Sequence, residues 1–352
     1  MTPTPAGARI EIVQVLRFVA AAMVLMTHST FYIHERMSSA FEVWYGGESG
    51  VPIFFVISGI VIVLTSSRLT NDSSGAVVFF ERRIARIVPL YWLVTTLKVG
   101  LALALPSAVL HNHFDVVHAL KSYFFIPAFN QEGQIRPIHG VGWTLLHEMY
   151  FYVLFTLAMF IRQRPIRVVT GVLIAACICG YLFEPKGAVA IVATSPINLH
   201  FVVGMWVGHL LLGSTLPLGI RIGLPVLVGT ALALLAGLAD WKLQLDPAAL
   251  LIAAALPLLS SLSFPGFLRF FARLGDSSYS LYLFHPLIAA GIVAVFAKIG
   301  FSSPFLVLSV ALVATTATAH LIHVVLETRL IALTRSFLQG LAVRIWPQGR
   351  QA

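Results

Sequence analysis

Residues 49–65 read SGVPIFFVISGIVIVLT, a run without a single charge. A helix needs about 20 mostly apolar residues to cross a bilayer, and this run approaches that length. Nine further apolar runs occur, over 12–31, 87–105, 141–161, 168–183, 198–212, 217–235, 247–262, 279–296 and 304–326. The whole chain agrees with this reading. Of 352 residues, 58% are hydrophobic and 11% charged, with a mean hydropathy of +0.90. Soluble domains carry about 25% charge and 45–50% apolar residues. Such a composition excludes an ordinary cytoplasmic enzyme, a disordered chain and a disulfide-built scaffold. The expected fold is an all-α polytopic integral membrane protein of about ten transmembrane helices, built as one membrane domain over 1–352.

The net charge of +9 does not point to nucleic acid, because most cations sit between the apolar runs. With the N-terminus in the cytoplasm, 15 cations fall inside and six outside, while Arg17 and Lys98 lie within spans. Positive-inside bias therefore places both termini in the cytoplasm, and ten helices satisfy that parity. Residues 329–352 read as a basic cytoplasmic tail that, with Trp346, suits the membrane interface. The longest outer loop, about 111–140, holds His111, His113, His118, Asn130 and His139, and its stretch SYFFIPAF is apolar enough to dip into the membrane surface. Cys177 and Cys179 are two positions apart on one helix and face different directions, so neither a disulfide nor a metal site is expected. The N-terminal run is interrupted by Gln14 and Arg17 and does not read as a cleavable signal.

Charge in the membrane core is costly, so each ionisable residue there is a functional candidate. Arg17 and His28 are eleven residues apart on the first helix. Eleven steps of about 100° return to within roughly 20° of the same face, with a rise of about 16 Å. The fourth span opens WTLLHEMYFY, with Trp143, Thr144, His147, Glu148 and Tyr150. Running inward, it sets Glu148 at about the depth of His28, and a His–carboxylate pair is a general-base unit. His147 points about 100° from Glu148 and is the weaker partner. No second histidine follows at zinc-motif spacing. Arg82, Arg83 and Arg86 open the third span as a compact cluster. It suits phosphate oxygens bound bidentately, although charge alone favours a topology signal on anionic lipid. Ser58 and Gly59 mark close helix packing. Asn198 and His200 sit near the outer end of the sixth span, and Tyr279, Tyr282 and His285 at the entry of the ninth, where tyrosines read as interfacial belt residues.

Five stretches in this order, LRFVAAAMVLMTH (16–28), GVPIFFVISG (50–59), RRIARIVPLYW (82–92), GWTLLHEMYFY (142–152) and SYSLYLFHP (278–286), resemble the acyltransferase 3 family of bacterial membrane O-acyltransferases. The pattern is similar to its exopolysaccharide-production acetyltransferases. The resemblance implies transfer of an acyl group, acetyl above all, from cytoplasmic acyl-CoA to a hydroxyl of a carbohydrate or lipid-linked oligosaccharide, by a multi-pass protein of the bacterial inner membrane. It implies His28 and Glu148 as catalytic residues, and Arg17, Arg82, Arg83 and Arg86 as holding the CoA donor. Trp143, Thr144, His147, Tyr150, Ser58, Asn198, His200, Tyr282 and His285 support the site or the substrate. No metal and no tightly bound cofactor are implied. Pro52 departs from the family, many members of which carry Asp there. No hydrolase-like domain is expected after the tenth helix. A transporter or flippase for a glycolipid or small anion is the competing class, although no inverted repeat is apparent.

Overall fold

The computed structural model describes residues 5–104, 115–213, 219, 223, 225, 227, 245–259 and 266–345. Among these the structure is helical, with one isolated antiparallel bridge between Phe129 and Ile135. The helices are α1 (Pro5–Arg36), α2 (Gly50–Ser66), α3 (Ser73–Ala104), α4 (Val116–Tyr123), α5 (Trp143–Phe160), α6 (Pro165–Phe183), α7 (Ala188–Thr194), α8 (Leu199–Gly213), α9 (Pro247–Leu259), α10 (Leu268–Asp276), α11 (Ser278–Lys298), α12 (Pro304–Ile322) and α13 (Thr328–Ile345). Eight segments among the described residues are long and apolar enough to cross a membrane, and α9 adds a shorter apolar helix of 13 residues. These nine match nine of the ten expected spans. All but four positions of the tenth, 217–235, lie outside the described residues, as do His111, His113 and Trp346.

The third span differs most from its expected bounds. Helix α3 starts at Ser73 and runs 32 residues, so Arg82, Arg83 and Arg86 lie within it and not at its mouth. Asp72 starts it. Its side chain accepts from the Gly75 amide at 2.9 Å and its carbonyl accepts from Ala76 at 2.9 Å, satisfying amides that a helix start leaves open. The Gly75 amide and the Thr70 hydroxyl hold the Asp72 carboxyl below its ordinary value of 3.8. The expected basic tail is also partly regular: its residues up to Ile345 form α13, which packs on α3. Leu330, Thr334 and Leu338 are half-buried at helical spacing, while Leu333 and Phe337 are exposed.

The chain falls into two compact units. One contains α1, most of α2, α8 from Val203 onward and α9–α12; α1 is its spine and packs on α10, α11 and α12. Its core joins Ala21, Leu25 and Ile33 of α1 to Leu281, Ala289 and Val293 of α11 and to Val307 and Ala319 of α12. Lipid tails are as apolar as these side chains, so close packing, not solvent exclusion, holds such helices together. Gly275 meets that requirement: a methyl group there would collide with the Gln14 carbonyl of α1. The second unit contains α3–α7 and α13, with α5 set between α3 and α6. Its core is aromatic, with Phe151 stacked on Phe201 at 4.3 Å and Phe79 on Phe155 at 5.1 Å between ring centroids.

Candidate active site

Polar groups within the helices collect in each unit. In the first, α1 carries His28 and α11 carries His285, and the two rings meet edge to face at 4.8 Å. The His28 Nδ1 lies 3.0 Å from the Val24 carbonyl, and the His285 Nδ1 lies 3.2 Å from the Leu281 carbonyl. A carbonyl only accepts, so each Nδ1 carries a proton and donates it to its own helix one turn back. In the neutral ring Nε2 is then the basic nitrogen. Tyr282 packs against His285 at 5.9 Å and against Phe54 at 5.8 Å. Tyr279 and Tyr282 are buried, which corrects their reading as interfacial belt residues. Arg17, lower on α1, donates from Nη1 to Gln14 Oε1 at 3.3 Å. The Gln14 amide nitrogen donates to Asp276 at 2.5 Å, tying this arginine to the end of α10. Ser58 is half-buried on α2.

In the second unit, Glu148 accepts a short hydrogen bond from the Tyr152 hydroxyl one turn along α5. Arg83 of α3 lies over that same Tyr152 ring at 5.7 Å and over Phe79 at 5.2 Å. Its Nη2 donates to the Thr65 hydroxyl at 2.5 Å. Arg83 is only 8% exposed, and its Nε has no hydrogen-bond partner among the described residues. Arg82 is exposed and Arg86 half-buried. The three cations therefore stand in three environments, and a purely lipid-facing topology signal does not describe Arg83. A guanidinium over two rings gains cation–π attraction of about 0.5–2 kcal/mol per contact.

His147 turns away from this cluster. Its Nδ1 lies 2.9 Å from the Asn198 side-chain oxygen, and the Asn198 amide nitrogen donates to the Val192 carbonyl at 2.8 Å. The tautomer follows, with Nδ1 donating. His147 and Asn198 are both buried, as is His200, whose Nδ1 is 2.9 Å from the Ile197 carbonyl. Trp143 packs edge-on against His147 at 5.8 Å, and the Thr144 hydroxyl donates to the Val141 carbonyl at 3.3 Å. Tyr150 is half-buried. His28 and Glu148 belong to different units. The sequence reading did not select Tyr152 as a site residue, although its position four after Glu148 puts it on the same helix face. Thr65 carried no sequence signal. Among the described residues no group of His, Cys, Asp and Glu is arranged to hold a metal ion.

The family whose model describes an acyltransferase domain, Acyl_transf_3, matches residues 10–324 and so takes in both clusters. The chain belongs to the acyltransferase 3 family. It is an O-acyltransferase with several apolar helices able to cross a membrane. It is similar to the exopolysaccharide production protein ExoZ of Rhizobium meliloti (strain 1021), 37% identical over 268 residues that make up 72% of this chain and 80% of that protein. No solved structure matches the chain. All five stretches that carry the family resemblance fall within the matched residues.

Proposed function

We propose that this acyltransferase moves an acetyl group from acetyl-CoA on the cytoplasmic side of the inner membrane to a hydroxyl of an exported exopolysaccharide or its lipid-linked precursor. The similarity to an exopolysaccharide production protein supports the acceptor. The observation that carries the chemistry is His28: its Nδ1 is committed to the Val24 carbonyl at 3.0 Å, which leaves Nε2 as the base.

In this reading Nε2 takes the proton of the acceptor hydroxyl as its oxygen attacks the thioester carbonyl. The tetrahedral oxyanion collapses with loss of the CoA thiolate, which leaves as the thiol once protonated. The ester and the neutral imidazole remain. Glu148 is the second catalytic residue, its carboxyl held by the Tyr152 hydroxyl. Arg82 and Arg86, exposed and half-buried, present guanidinium groups to the CoA phosphates, with Arg17 as a further cation on α1. Arg83 lies deeper, and its unpartnered Nε is a donor suited to an anionic or carbonyl oxygen of the donor substrate.

The test is acetyl transfer from labelled acetyl-CoA to isolated polysaccharide by the purified protein in proteoliposomes. His28→Ala is expected to bind acetyl-CoA normally and to lose about 10²–10⁴-fold in turnover. The His28→Ala/Glu148→Gln double variant is expected to fall little below His28→Ala, because residues serving one step are not additive. Near-normal turnover per folded His28→Ala molecule overturns the assignment. Transfer that proceeds without acetyl-CoA overturns the donor.

A further inference from the structure

Helix α4 and the residues after it leave an apolar face uncovered. Val116, Val117, Leu120 and Phe124 are 56–64% exposed, and Ile126 and Phe129 are also exposed. At 100° per residue, the four helix positions share an arc of about 100°. Lys121 is exposed at its edge, and Ala119 and Ser122 are buried on the far side.

The buried side fixes where this face lies. The Tyr91 hydroxyl donates to the Ser122 carbonyl at 3.1 Å, and Trp92 Nε1 donates to the Tyr123 carbonyl at 2.8 Å. The Thr96 and Tyr123 hydroxyls are 2.8 Å apart. All three anchors sit on residues 91–96 of α3, a helix long and apolar enough to cross the bilayer. About 20 Å of α3 continues beyond Tyr91. α4 is therefore strapped to the flank of a spanning helix and not to its tip. Its backbone suits a place without water. The amides of Phe124, Phe125 and Ile126 donate to the carbonyls of Leu120, Ser122 and Lys121, and Asp115 accepts from the amides of Val117 and His118 at the helix start. Backbone exposed to lipid has to be satisfied internally in this way. Lys121 at the rim has a stem long enough to carry its ammonium to the headgroups.

We propose that α4 and the segment to Phe129 are a membrane anchor whose Val116, Val117, Leu120 and Phe124 face is covered by lipid acyl chains along the flank of α3, on the part of that helix that follows its arginines. The same anchor bears on the start of α5. The Ile138 amide donates to the Ser122 hydroxyl at 3.0 Å, and the Tyr91 ring packs against Gly142, where a methyl would approach it to 2.8 Å. Lipid under α4 thus supports the turn from which Trp143 and Glu148 project.

The test uses the full chain with Cys177 and Cys179 replaced by alanine, reconstituted in phosphatidylcholine–phosphatidylglycerol vesicles. Single cysteines at Val116, Val117, Leu120 and Phe124, with Glu132 as a loop control, carry a nitroxide. Four positions on one face keep the result readable if one variant misfolds. Relaxation by dissolved oxygen is expected to dominate at the four helix sites, and relaxation by a water-soluble nickel chelate at Glu132. Nickel-dominated relaxation at the helix sites overturns the proposal by placing the face in water. Dipolar broadening between labels overturns it by showing that a second copy covers the face.

Discussion

Replacing Tyr152 by Phe separates two things that one side chain does. The ring remains, so the contact with Arg83 at 5.7 Å is kept. The hydroxyl is lost, and with it the hydrogen bond to Glu148. A hydrogen bond to a charged group contributes about 1.5–3 kcal/mol. At 1.4 kcal/mol per tenfold, that is about 10–150-fold in a rate for which Glu148 must be held. Tyr152→Phe is therefore expected to lower acetyl transfer by that factor while leaving acetyl-CoA affinity within about twofold. Tyr152→Leu removes the ring as well and is expected to weaken both. The assay is single-turnover transfer normalised to folded protein, beside equilibrium acetyl-CoA binding. Wild-type turnover in Tyr152→Phe, or a loss that merely follows the folded fraction, refutes the reasoning.

Three further outcomes are expected. Arg83→Lys keeps the charge but loses the planar group that lies over Phe79 and Tyr152 while bonding Thr65; it should lower thermal stability in detergent, and an unchanged melting temperature would reduce the cluster to incidental contact. Because the Asp72 carboxyl is held below its ordinary value of 3.8 by the Gly75 amide, its contribution to the start of α3 is present above that value and lost as pH falls through the folded value. The protection of the Gly75 amide from hydrogen exchange, taken relative to its intrinsic rate at each pH, should fall in acid, whereas in Asp72→Asn it should not follow this titration. Cysteines at Ser38 and Gly133 should react in spheroplasts with an impermeant thiol reagent and one at Ser74 should not; the reverse pattern would exchange donor and acceptor sides.

Spans were legible because the bilayer sets a length and excludes charge, and the run 49–65 satisfies both conditions by itself. The bounds of α3 were less so. A hydropathy reading stops at Arg86, whereas the helix continues through the arginines because Phe79 and Tyr152 cover Arg83. Contacts between distant segments were not legible: nothing in the spacing places Thr65 beside Arg83 or Asn198 beside His147. A buried carboxylate needs a partner, and depth alone points from Glu148 to His28. One partner the structure supplies is on its own helix, Tyr152, four positions along, where helical periodicity puts two side chains on one face.

The stacking of Arg83 on Tyr152 also orders events in time. Arg83 enters the membrane 69 positions ahead of Tyr152 and 65 ahead of Glu148. A lone arginine at a helix centre disfavours insertion by about 2.5–3.5 kcal/mol on translocon scales. While α5 is still being synthesised, the partners of that guanidinium among the described residues are Thr65 of the preceding helix and Phe79 of its own. Biogenesis therefore passes through a stage in which α2 and α3 are in the bilayer with an under-compensated cation, and the arrival of α5 relieves it. The Arg83–Tyr152 contact thus doubles as an assembly signal, so a variant that removes the ring, such as Tyr152→Leu, should leave the nascent protein exposed to membrane quality-control proteolysis, whereas Tyr152→Phe should not.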